Sequence, residues 1–68
     1  MNVEDLRKKY PKGTVLVLDY MDDSWAPPFG SKGLVEFIDD AGQIHMHWEN
    51  GSGLALIPGV DQFHIFRG

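Results

Sequence analysis

Residues 43–51, QIHMHWENG, decide the fold, because they join the clearest strand pattern of the chain to its strongest turn signal. Ile44, Met46 and Trp48 alternate with polar residues, and this period of two predicts a strand with one buried face and one solvated face. The Asn-Gly pair that ends the stretch is typical of the type I′ turn of a β-hairpin. We therefore expect these three apolar side chains in the core and a returning strand after the turn.

Further segments on both sides have the apolar, β-branched composition of short strands. They cover residues 14–20, 32–38, 54–57 and 63–67, with a turn at residues 39–42 in which Gly42 supplies a positive φ and a tight helical turn at residues 60–61. Five short strands with one long loop after the first predict an all-β (mainly β) fold, a small five-stranded SH3-like barrel. We expect a single domain over residues 1–68, with the barrel over residues 13–67.

A short N-terminal α-helix is expected within residues 1–12. Asn2 is a suitable N-cap, and the acidic first turn and basic last turn match the helix dipole. Val3, Leu6 and Tyr10 share a face, and a proline and a glycine end the helix.

The charge of this small acidic protein is unevenly distributed, although its formal net charge is only −4. Residues 13–66 carry eight carboxylates and a single cation, Lys32, a net charge of −7. Binding to phosphate backbones requires clustered lysine and arginine, so nucleic acid is disfavoured as a partner of the barrel. Four of the six basic residues precede the barrel, and we interpret them as a solvated helix end: Arg7, Lys8, Lys9 and Lys12.

Neither export nor membrane insertion is expected. The chain has no cysteine and no apolar run of a signal peptide or of the about 20 residues that span a bilayer. A cytoplasmic location is therefore predicted. Self-association stays open, since small domains without disulfides often gain burial as homo-oligomers.

No catalytic, metal or cofactor site is predicted. His45 and His47 project from the same face of one strand, and His64 could join them at a zinc ion, but a solvated strand face accommodates histidines without any metal. The Asp39-Asp40 pair lies in a turn, where aspartate bonds its own backbone. No nucleophile, base and orienting group occur together, so the protein is expected not to be an enzyme.

The long loop after the first predicted strand is the favoured binding site, because it combines aromatic and acidic side chains with two prolines. The alternative is that Trp25 or Phe29 folds back over the open end of the barrel. The candidate binding residues are Tyr20, Asp22, Asp23, Trp25, Pro27, Pro28 and Phe29.

Three functions are compatible with these features. The first is a non-enzymatic module that binds another protein through the acidic, aromatic loop, for which a basic partner surface would be complementary. The second is an oligomer that binds a nucleotide by stacking it on the loop aromatics, with N-terminal cations supplied by a neighbour. The third is nucleic-acid binding through the basic helix, with an affinity that falls steeply with salt.

Two resemblances extend this interpretation. VLVLDYMDD and IPGVDQF resemble the first strand and the Ile-Pro element of SH3 domains. VEDLRKKYPKGT, YMDD, APP, GSKG, IDDAGQIHMHW, ENGS and LALIPGVDQF, which together span residues 3–66, resemble the domain-of-unknown-function family 4314. That resemblance implies a short bacterial protein often carried by phages and mobile elements, with a host or defence protein as a candidate partner, and it transfers no site residues.

Overall fold

The computed structural model describes residues 2–68, so Met1 of the predicted N-terminal segment lies outside the described residues. The strands are antiparallel and form one open sheet in the order β3-β2-β1-β4. The prediction of a mainly β fold with one short N-terminal helix is confirmed. The elements are α1 (Val3–Lys9), β1 (Val15–Tyr20), β2 (Lys32–Ile38), β3 (Ile44–Trp48) and β4 (Gln62–Ile65).

Strand β3 has the predicted two faces. Ile44, Met46 and Trp48 are at most 1% exposed, whereas His45 and His47 lie on the opposite face of the sheet. The period-two pattern therefore identified the core face correctly. The buried core cluster consists of Leu6, Leu16, Leu18, Val35, Ile38, Ile44, Met46, Trp48 and Leu56.

The predicted fourth strand, residues 54–57, makes a single bridge to β3 instead of a ladder. Leu56 and Ile44 exchange backbone hydrogen bonds of 2.8 and 2.9 Å. Since no further pair forms there, the sheet of the described residues holds four strands, and strand pairing among residues 2–68 does not form the expected closed five-stranded barrel.

Side chains explain why this ladder stops after one bridge. The next pair would place Leu54 opposite Met46, but both backbone groups of Leu54 are already engaged. Its N–H donates to Ser52 Oγ at 3.2 Å, and its carbonyl accepts the indole N–H of Trp48 at 2.8 Å. A buried indole N–H needs a hydrogen-bond acceptor, and the Trp48 indole uses the Leu54 carbonyl that a longer β-ladder would need.

The predicted type I′ turn at the Asn-Gly pair is wrong. A type I′ turn needs positive φ at both central residues, and within residues 2–68 only glycines have positive φ, including Gly51 at +88°. Gly51 N–H donates to the Trp48 carbonyl at 2.9 Å, and Trp48 N–H donates to the Ser52 carbonyl at 3.0 Å. These bonds define a three-residue loop whose last residue, the glycine, is left-handed. The predicted positive φ of Gly42 is confirmed at +85°.

Helix α1 begins as predicted, with Asn2 Oδ1 accepting the N–H of Asp5 at 2.9 Å. Leu6 is buried in the core, and Val3 and Tyr10 pack against it. No helix within residues 2–68 has the length and apolar character needed to cross a membrane.

Hydrogen bonds from Arg7 link α1 to the turn between β2 and β3. Its guanidinium donates to the Ile38 carbonyl at 3.0 Å and to Asp40 Oδ1 at 3.1 Å, and it also contacts Glu4 Oε1 at 3.3 Å. One of the four N-terminal cations is therefore engaged within the fold.

Candidate functional site

Six of the seven candidate binding residues lie on the loop between β1 and β2, residues 21–31, which we call the β1–β2 loop, and the seventh, Tyr20, ends β1 directly before it. Two backbone hydrogen bonds to Leu18 of β1 hold the C-terminal end of the loop. Leu18 N–H donates to the Ser31 carbonyl at 2.9 Å, and Gly30 N–H donates to the Leu18 carbonyl at 2.8 Å. Ser31 N–H also donates to the Pro28 carbonyl at 3.0 Å. The end of the loop is thus held against the sheet.

Asp23 organises the middle of the β1–β2 loop. Its Oδ1 accepts the N–H of Trp25 at 2.8 Å, and its carbonyl accepts the N–H of Ala26 at 3.0 Å. This is the local bonding that makes aspartate favourable in turns. Pro27 is buried, and Met21 packs against the core. The loop is therefore anchored by side chains as well as by backbone bonds.

The loop aromatics point into solvent. Trp25 is 82% exposed, Phe29 is 83% exposed, and Tyr20 at the end of β1 is 54% exposed. The alternative that Trp25 or Phe29 folds back over the core is therefore wrong. Large apolar side chains at such exposure on a fixed loop are a common feature of interaction surfaces.

These predicted residues share the loop without forming one packed cluster. Within residues 2–68 the close aromatic pairs are elsewhere, and the three loop rings do not stack on one another. Asp22 and Pro28 are exposed, whereas Asp23 serves the turn and Pro27 lies in the interior. The geometry separates the predicted set into displayed side chains, namely Tyr20, Asp22, Trp25, Pro28 and Phe29, and supporting ones, Asp23 and Pro27.

The three histidines do not share a site. His45 Nε2 lies 2.8 Å from Asp39 Oδ2, and His64 Nδ1 lies 2.8 Å from Asp19 Oδ2. His47 is exposed on β3, and both β2 and β1 lie between it and His64 on β4. In the described part of the chain, no three histidine or carboxylate side chains come together as a metal centre.

Asp39 has both carboxylate oxygens occupied. Its Oδ1 accepts the backbone N–H of Gln43 at 2.9 Å and that of Ala41 at 3.0 Å, while Oδ2 bonds His45. The hydrogen bond from His45, followed by that from Gln43, holds the pKa of the Asp39 carboxyl below its ordinary value of 3.8. The His45 ring also stacks on Phe37, with ring centroids 4.2 Å apart.

Sequence reasoning missed this outer face of the sheet. The register slips between Val35 and Phe37, so Glu36 is an extra residue, and Phe37 joins His45 on the solvent side instead of entering the core. The signal available in the sequence was weak. Val35 and Ile38, the two buried residues on either side, are three apart, which a regular strand does not permit.

Comparison with known proteins adds a family but no relative of established function. No functionally curated protein and no solved structure matches the chain. The family model described as "Domain of unknown function (DUF4314)" matches residues 1–66, nearly the whole chain. The resemblance found in the sequence is thus confirmed, and the chain belongs to this family of domains of unknown function.

Proposed function

We propose that this protein is a non-enzymatic interaction module that binds another protein through the β1–β2 loop. The observation that carries the proposal is the exposure of Trp25 and Phe29 on a loop whose backbone is hydrogen-bonded in place. A fixed loop loses little conformational entropy on binding, so burial of its two large rings contributes directly to affinity.

Charge supports a basic partner surface. Asp22 is exposed on the loop, and residues 13–66 carry eight carboxylates against Lys32 alone. Opposite charges steer two proteins together, and the association rate then falls as salt is added. The family resemblance suggests a host or defence protein as the partner of a cytoplasmic phage or mobile-element accessory protein.

The sheet order favours an SH3-like layout as the scaffold of this module. Leu56 bridges to Ile44 of β3, and this placement of residues 54–57 is compatible with a five-stranded layout whose fourth strand is reduced to one bridge. In that layout the β1–β2 loop extends from one end of the scaffold, where it is accessible to a partner.

The proposal is tested by photo-crosslinking in cells that produce the protein. A photoreactive phenylalanine analogue replaces Trp25, and in a matched control it replaces Phe37, an exposed ring on the outer sheet face. We expect a discrete crosslinked protein at position 25 that is lost when Phe29→Ala is added and is absent at position 37. Equal crosslinks at both positions, or none at position 25, would remove the loop from the proposal.

A nucleotide titration separates the small-ligand alternative. A nucleotide stacked on the loop quenches Trp25 and leaves the buried Trp48 unchanged, whereas a protein-binding loop gives no response to free nucleotides. Quenching that is abolished by Trp25→Phe would favour nucleotide binding instead.

A further inference from the structure

β4 is an edge strand, with β1 on one side and no strand on the other within residues 2–68. Phe66 N–H donates to the Val15 carbonyl at 2.9 Å, and backbone groups alternate in direction along an antiparallel strand. The N–H and C=O groups of Phe63 and Ile65 therefore point away from β1. An edge of this kind is a template for another extended chain.

A groove of about 460 Å³ runs between this edge and the end of the helix. Tyr10 packs edge-to-face on Phe63, with ring centroids 5.6 Å apart, and this pair gives the groove an aromatic wall. The lining residues are Lys9, Tyr10, Phe63, His64, Ile65 and Arg67.

The groove carries two cations, whereas the protein as a whole has a net charge of −4. Lys9 and Arg67 are both exposed at its rim, and Lys9 Nζ lies 5.4 Å from the Tyr10 ring centroid. The groove thus brings together two of the six cations of an otherwise acidic protein, from positions far apart in the sequence. His64 also lines the groove, and its Nδ1 is bonded to the carboxylate of Asp19 at 2.8 Å.

Lys9 and Arg67 favour one of two possible partners for the free edge of β4, a second copy of the chain or an acidic strand. A second copy paired through β4 would bring its own Lys9 and Arg67 to the same seam, and charged side chains at an edge are a known barrier to self-pairing. A partner strand that carries carboxylates would instead be attracted by Lys9 and Arg67.

We propose that the free edge of β4 binds an extended, acidic peptide segment of a partner protein as an added strand. Its backbone pairs with Phe63 and Ile65, and its carboxylates approach Lys9 and Arg67. At about 3.3 Å per residue, residues 62–67 accommodate a segment of about six residues. This surface is separate from the β1–β2 loop and extends the proposed function to a second contact.

The test uses the full chain labelled with ¹⁵N and a synthetic seven-residue peptide of alternating Glu and Val, with blocked ends. We expect the amide signals of Phe63 and Ile65 to shift and their hydrogen exchange to slow. A matched peptide with Lys in place of Glu should bind about tenfold more weakly, because each contact to a rim cation becomes repulsive. The acidic peptide with its internal amides N-methylated keeps its charge but cannot donate, and it should not bind.

Variants locate the charge requirement. Lys9→Glu combined with Arg67→Glu should weaken binding of the acidic peptide about tenfold, while Lys8→Glu, on the same helix but outside the groove, should leave it nearly unchanged. The proposal is overturned by absence of shifts at Phe63 and Ile65 up to about 1 mM peptide. Equal binding of the N-methylated peptide overturns it too, as does an equal effect of Lys8→Glu. A concentration-dependent dimer that protects the same two amides without peptide would assign the edge to a second copy.

Discussion

Replacement of Gly33 by alanine tests how closely β2 and β3 pack. A Cβ atom at Gly33 would lie 2.6 Å from Cε3 and 2.9 Å from Cδ2 of Trp48, and 3.1 Å from Cε of Met46. The indole cannot retreat easily, because it is fully buried and its N–H is bonded to the Leu54 carbonyl. The flexible Met46 methyl can move, but the ring and the backbone must shift.

The expected loss of stability follows from two opposing effects. Overpacking a close-packed core costs about 1–3 kcal/mol. The φ of Gly33 is not positive, so alanine is compatible with the backbone and recovers about 0.4–1 kcal/mol through the unfolded chain. The net destabilisation is about 1–2 kcal/mol, out of a total of roughly 3–10 kcal/mol for a domain of this size.

Urea and thermal unfolding, followed by circular dichroism, measure this difference. A fall of about 5–15 °C in Tm is expected for Gly33→Ala. Gly53→Ala is the matched control, because Gly53 also lacks a positive φ and a Cβ there meets no atom within 4 Å. If both variants unfold at the parent temperature, the contact between Gly33 and Trp48 is not as close as described.

Three further predictions concern single side chains. Trp48→Phe removes the indole N–H from the Leu54 carbonyl and should reduce the unfolding free energy by about 1–3 kcal/mol, measured by urea denaturation. Because the pKa of Asp39 is lowered in the folded state, its ionised form stabilises the fold above its ordinary pKa of 3.8, and this stability is lost as pH falls through the lower folded-state pKa. Asp39→Asn should therefore be less stable than the parent near neutral pH and approach the stability of the parent in acid. An unchanged difference across an acid titration would contradict this. Trp25→Ala should change the unfolding free energy by less than about 0.5 kcal/mol, since its side chain lies in solvent, and a larger loss would show that the ring supports the fold.

Sequence patterns predicted those parts of the fold that depend on residues close together in the chain. The alternation of Ile44, Met46 and Trp48 determined which face is buried, and the cap at Asn2 determined where the helix begins. Both depend on residues only two to three positions apart. Gly42 likewise has the positive φ that a tight turn requires.

The features that were missed depend on contacts between distant positions or on competition for one acceptor. The strand expected at residues 54–57 ends because the Trp48 indole N–H bonds the Leu54 carbonyl. Propensity scales describe single residues and do not include such a hydrogen bond. Arg67 and Lys9 meet at one groove only after the sheet and the helix have packed. The choice of the loop as a binding site stays a prediction, and the orientation of Trp25 was left open because composition does not determine which way a ring points.

Collisional quenching of the two tryptophans tests most directly whether the β1–β2 loop presents its ring to solvent from a packed scaffold. Trp25 is 82% exposed and Trp48 is fully buried, so acrylamide should quench one component of the parent emission strongly and the other weakly. In Trp25→Phe only the weakly quenched, blue-shifted component should persist. A shielded Trp25, or a Trp48 that acrylamide reaches freely in the folded Trp25→Phe variant, would contradict both the binding surface and the core on which it rests.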